Sequence, residues 1–157
     1  MGKQHQYRLE LEWSGNTGEG TKNYRAFKRD YNIKIGNKPV IEGSSDPSFR
    51  GDPDRHNPEE MFVASISACH MLWYLHFCAV AGIVVTKYTD YAEGVMEEDA
   101  ERGGFFKEVL LKPEVTITDV SREKEAVELH KKANSFCFIA NSCNFPIAHS
   151  PIIKVEI

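Results

Sequence analysis

The chain has 157 residues, a formal net charge of −4, 41% apolar and 27% charged side chains. That length fits one domain, residues 1–157, and that composition builds a packed core rather than a disordered chain. Acidic and basic residues are mixed along the sequence without a basic stripe, so no nucleic-acid partner is expected. The opening GKQHQYRLE holds no apolar signal segment, so a cytoplasmic protein is expected, with its cysteines (Cys69, Cys78, Cys137 and Cys143) reduced.

In chain order, HQYRLELEW (5–13) alternates Tyr7, Leu9, Leu11 and Trp13 with charged residues, the period of a half-buried strand. SGNTGEG supplies turn residues, and YRAF and YNIKI within 22–35 read as strands. Residues 36–56 are rich in Gly, Pro, Ser and Asp and read as one long loop. Asn57 is a helix N-cap, Pro58 suits the first turn, Glu59 and Glu60 complement the helix dipole, and Gly82 is a stop. These signals predict a helix over about 58–81, roughly 36 Å long.

Residues 86–97 and 105–120 each read as a strand, joined by EDAERGG. Residues 121–140 repeat apolar positions at helical spacing (Ala126, Val127, Leu129, Ala133, Phe136), and PIIKVEI closes the chain as a strand. The order predicts an α+β fold: antiparallel sheets with a long central buried helix and a second, amphipathic helix.

From Met61 to Val85 there is no Asp, Glu, Lys or Arg. The run is long enough to span a bilayer, but His70, His76, Ser65, Ser67 and Cys69 would lie within it, and its flanks carry no positive bias. A buried core helix is the expectation, with no membrane partner. A helix apolar on nearly every side needs cover on nearly every side, which a second subunit would supply.

Cys69 and Cys78 are nine residues apart, about 180° around a helix, so they cannot pair within it. Ser65, Cys69, Trp73 and His76 share one stripe, readable either as core packing or as a reactive site. Cys-x8-Cys and Cys-x5-Cys spacings match no common zinc pattern, and no phosphate-binding glycine motif occurs, so no metal or cofactor is expected. His70 points about 100° away from Cys69 and is a poor base for it.

The segment NPEEMFVASISACH, followed by a helix ending Ala133-x-x-x-Cys137, resembles the signature of the OsmC (osmotically inducible protein C) and organic hydroperoxide resistance family. That signature is an NPEE box leading to a first cysteine, then A-x-x-x-C-P-V-S. The order of strands and helices resembles the family along essentially the whole chain, although Phe138 stands where the family has proline. The resemblance implies an intertwined homodimer and a thiol peroxidase acting on organic hydroperoxides, recycled by an external thiol reductant. It implies Cys69 as the peroxidatic cysteine and Cys137 as the resolving one, with Cys143 the alternative resolver. It also implies Glu59 and an arginine in the site. Arg50 is the nearest match, with Arg55 and Arg25 as alternatives.

The chemistry needs a thiolate, and Cys69 is about three turns from Pro58, beyond the useful reach of the helix dipole. A guanidinium must be brought to it, and a bidentate Glu59 would orient that arginine. Phe49, Met61, Trp73 and Phe136 are candidate pocket walls. Other readings of the same residues are a redox sensor or apolar-ligand carrier without turnover, and a cysteine hydrolase using Cys69 with a histidine base.

Overall fold

A computed structural model describes residues 2–156. The chain divides into two units, residues 1–61 and 62–157, with the boundary in the first turn of the long helix. In the first unit, β1 (Glu10–Trp13), β2 (Tyr31–Lys34) and β3 (Ile41–Gly43) form an antiparallel sheet in the order β1-β2-β3. Only four residues of the expected 5–13 strand pair, and all four are exposed. YRAF forms no strand; Phe27 makes only an isolated bridge to Asn16. The expected long loop contains β3, because Gly43 fits under the Tyr31 ring, where a Cβ would collide.

The helix α1 runs Pro58–Ala81. Asn57 Oδ1 accepts from the Glu60 amide at 2.8 Å, and Glu60 Oε2 accepts from the Asn57 amide at 3.3 Å, a reciprocal capping box. At the other end Gly82 takes φ 73°, Ile83 N–H donates to Cys78 and Gly82 N–H to Ala79, closing the helix in a Schellman turn. By length and composition alone α1 could cross a membrane. Here one stripe of it, Ile66, His70, Tyr74, Phe77 and Cys78, is buried within the protein.

In the second unit, β4 (Val85–Asp90), β5 (Glu93–Glu97), β6 (Phe105–Leu111), β7 (Pro113–Ile117), β8 (Ile147–His149) and β9 (Ile152–Val155) form two sheets, β4-β7-β9 and β5-β6-β8. The expected single strands at 86–97 and 105–120 each break in two at one corner. There Asp90 accepts the Lys112 amide at 2.7 Å and the Ser67 hydroxyl at 2.5 Å, and Pro113 brings no amide of its own to the ladder. The expected antiparallel arrangement is corrected: β6–β8 and β7–β9 are parallel, so both sheets are mixed. The reason is the second helix, α2 (Glu123–Phe136), which lies between these partners in sequence; a helical crossover returns the chain in the same direction. α2 is shorter than the expected 121–140 span because Asp119 caps a separate short turn at Val120–Arg122.

Two apolar clusters fill this unit. One joins Tyr74, Phe77 and Cys78 of α1 to Val115 and Ile117 of β7 and Ala126 and Ala133 of α2. The other joins Ile66 to Val109 and Leu111 of β6, with Phe62, Ile139 and Phe145 against it.

The corner carries a prediction. Asp90→Ala leaves the Lys112 amide and Ser67 hydroxyl without their acceptor and is expected to lower stability by about 2 kcal/mol, read from the midpoint of urea unfolding.

Candidate active site

The side of α1 turned from the buried stripe carries Cys69, Leu72, Trp73 and His76. With Phe138 they line an open, mainly apolar cleft of about 390 Å³. Three members of the expected stripe are therefore in one cleft. Ser65 is not; its hydroxyl donates to the Phe62 carbonyl of its own helix at 2.7 Å.

Cys137 is the first residue beyond α2, where the backbone turns extended (φ −66°, ψ 113°), and it is fully buried. Its neighbours Phe136 and Phe138 hold their rings 5.3 and 5.5 Å from that of Trp73, one helical turn after Cys69. This aromatic bracket brings the Cys137 thiol beside the Cys69 thiol. Burial first, and the adjoining Cys69 thiol second, push the Cys137 thiol up to about 11. It is thus held protonated at neutral pH, and it accepts the Ala140 amide at 3.4 Å.

The other cysteines stand apart. Cys143 donates to the Ile139 carbonyl at 3.2 Å and packs in the cluster around Ile66. Cys78 is buried beside Tyr74 and its thiol is pushed up by that burial.

Glu59 and Arg50 belong to the first unit. Glu59 Oε2 is buried with no hydrogen-bond partner among the described residues. Arg50 ends the short turn Pro47–Phe49 with φ 66°, the only non-glycine residue with positive φ among those described. Its guanidinium lies 5.9 Å from the Tyr24 ring, and it makes no ion pair among the described residues. Arg55 differs, since Asp30, Glu42 and Asp52 hold it at 3.9, 3.5 and 3.8 Å. Arg25 is exposed. Phe49 and Met61, expected as walls, also lie in the first unit, whereas Leu72 and Phe138 line the cleft.

Sequence reasoning missed His130. His70, turned away from Cys69 as expected, is buried, with its Nε2 2.9 Å from His130 Nδ1. Tyr74 stacks on His130 at 3.8 Å, and the half-buried His149 of β8 lies 5.7 and 6.1 Å from the two rings. Burial first, then the neighbouring histidines, lowers His70 to about 4 and His130 to about 3. The available signal was spacing: His130 precedes Cys137 by seven residues, two turns of one helix face. Among the described residues no group of three or more His, Cys, Asp or Glu side chains is arranged to hold a metal ion.

The model of the OsmC-like protein family matches residues 51–150, which include Glu59, Cys69 and Cys137. The chain belongs to the OsmC-like protein family. Among solved structures, this OsmC-like chain is similar to an OsmC-like protein of unknown function from Vibrio cholerae, with TM-score 0.85 and 26% identity over 95% of this chain and 100% of that one. It is also similar to an organic hydroperoxide resistance protein from Elizabethkingia anophelis, with TM-score 0.68 and 21% identity over 98% and 100% of the two chains. A third, the organic hydroperoxide resistance protein OhrB of Bacillus subtilis, gives TM-score 0.61 and 18% identity over 97% and 98%. At these last two identities the likeness speaks for the fold. No curated protein matches this OsmC-like chain. The family match begins one residue after Arg50, so membership itself does not include that arginine.

The histidines make the stability of this OsmC-like chain depend on pH. A folded-state pKa below the unfolded value of 6.5 means that the unfolded chain binds protons first as pH falls. Stability is complete above that value and lost from there toward the folded values. Between pH 7 and about pH 4.5 the loss is expected to be on the order of 1–3 kcal/mol per buried histidine. Calorimetric Tm values across that range check it, and His130→Asn should flatten the profile. His149, lowered by burial and Lys131, contributes in the same direction.

Proposed function

We propose that this protein is a thiol peroxidase that reduces organic hydroperoxides through Cys69 and Cys137. The observation that carries the reading is a half-buried thiol in an aromatic cleft with a second, buried, protonated thiol beside it. The Cys69 thiolate attacks one peroxide oxygen, the O–O bond breaks, and the other oxygen leaves with a proton as an alcohol. Cys69 becomes a sulfenic acid. The Cys137 thiol then displaces that hydroxyl, which leaves as water, and an external dithiol reopens the resulting disulfide. A protonated Cys137 does not compete for the peroxide, and it gives its proton to the departing hydroxyl as the disulfide forms.

In this reading Arg50 stabilises the thiolate and the developing negative charge on the leaving oxygen, and Glu59 holds the guanidinium. Two facts support the assignment within the first unit: a buried carboxylate oxygen lacks a partner, and Arg50, unlike Arg55, has no carboxylate. Glu59 lies about 15 Å along α1 from Cys69, which rules out direct contact, so in this reading the arginine stands between them. An apolar substrate tail would rest on Trp73, Leu72 and Phe138.

The working unit in this reading is a homodimer in a reducing compartment. Ala64, Ala68, Leu72, His76 and Val80 form an exposed stripe along α1 at four-residue spacing, and Leu72 and Val80 are 63% and 71% exposed. In the first unit, Tyr7, Leu9, Leu11 and Trp13 are also exposed, on the edge strand and its approach. A second copy would cover such uncharged surface.

Turnover of cumene hydroperoxide with dithiol tests the reading. Cys69→Ser is expected to abolish it, and Cys137→Ser to convert Cys69 to sulfinic acid. Loss of the Arg50 side chain in Arg50→Gly should lower kcat/KM by about a hundredfold or more without lowering Tm, since glycine favours a φ of 66°. Disulfide formation without sustained turnover would instead mark a redox sensor. Light scattering at micromolar concentration is expected to give the mass of two chains; a monomer overturns the dimer.

A further inference from the structure

Two of the contacts that hold α2 and the residues just past it against α1 lie side by side. One is the cysteine pair, bracketed by Trp73 against Phe136 and Phe138. The other is the imidazole pair. His70 follows Cys69 on α1, and His130 lies on α2 seven residues before Cys137, which directly follows the helix end. Their rings are nearly parallel, 7° apart, with the Nε2–Nδ1 separation at 2.9 Å and exposures of 1% and 0%.

This arrangement is costly as core packing. Two neutral imidazoles carry two protons, of which the shared bond uses one. The outward nitrogens, His70 Nδ1 and His130 Nε2, are both buried without a partner among the described residues, so either proton placement leaves one donor and one acceptor unsatisfied. Two apolar side chains of similar size would fill the space without that penalty. What they would not supply is direction: a buried hydrogen bond holds only over a narrow range of distance and angle, which adds a directional constraint to the packing of the two helices. A disulfide needs that control, because it forms only over a narrow range of Cα separation and torsion.

We infer that the His70–His130 hydrogen bond is a positioning clamp that sets α1 against α2 so that the Cys69 and Cys137 thiols can close to a disulfide. The inference rests on the reading of these cysteines as a redox pair. His70 and His130 touch neither substrate nor the reacting sulfurs in this role; they act through the helices. The step they serve is balanced: Cys69 sulfenic acid and Cys137 thiol give the S–S bond and water, or, with oxidised dithiothreitol, the two thiols give the S–S bond and reduced dithiothreitol.

The test uses the full chain without hydroperoxide. Wild type and variants are equilibrated in mixtures of reduced and oxidised dithiothreitol, quenched by alkylation, and the Cys69–Cys137 disulfide is quantified by mass spectrometry. His130→Asn places an amide where Nδ1 stands and should keep the equilibrium constant within about twofold. His130→Gln places the amide one bond further out and should lower the constant about tenfold, the size expected for a misplaced buried hydrogen bond. Gln is nearer to His in size than Asn is, so at this buried position a general packing effect would favour Gln, the reverse of the order the clamp predicts. Equal constants for Asn and Gln, or no Cys69–Cys137 disulfide in wild type, overturn the clamp. Failure of the peroxidase reading shows separately, as normal disulfide equilibria without hydroperoxide turnover.

Discussion

The second unit depends on one constraint: a helix with almost no charge must bury a polar imidazole in the middle of its core stripe. His70 sits between Ile66 and Tyr74, where the two apolar clusters meet, and only another buried polar group can satisfy it there. His130 supplies that group from α2. Once that contact is made, the register of α2 on α1 is set, and the residues just past the end of α2 fall against Trp73. Two cysteines 68 positions apart in sequence thereby become neighbours.

The same helix serves two surfaces with different chemistry. Its inner stripe is closed over by β6, β7 and α2. Its outer side presents Cys69 in an open aromatic cleft and, beyond it, small and apolar residues without charge. α1 has no Lys or Arg, so a guanidinium at the cleft has to come from outside this helix. In the first unit the arginines differ in how free they are: three carboxylates hold Arg55, while Arg50 is held in a left-handed turn with its guanidinium unpaired among the described residues.

Membership in the OsmC-like family rests on residues 51–150 and fits the fold of organic hydroperoxide resistance proteins at low identity. Where the chain departs from the family signature, the departures are local to the site. Phe138, in place of the signature's proline, forms a wall of the cleft, and Cys143 is turned into the core. The division of labour among the four cysteines is thus set by packing: one in the cleft, one buried beside it, and two engaged elsewhere.

The sequence by itself determined where α1 begins and ends, because N-cap, dipole and glycine stop are local signals that need no partner. It also separated Cys69 from Cys78, since helical rotation is a property of the backbone alone. It misjudged the strands: one reading of 86–97 and of 105–120 spans a corner where Asp90 ties Ser67 and Lys112 together across the fold. Parallel pairing, the Cys69–Cys137 approach and the His70–His130 bond were decided by tertiary structure. Each joins residues on different elements, and the apolar period that reveals an element says which face is buried but not what lies against it.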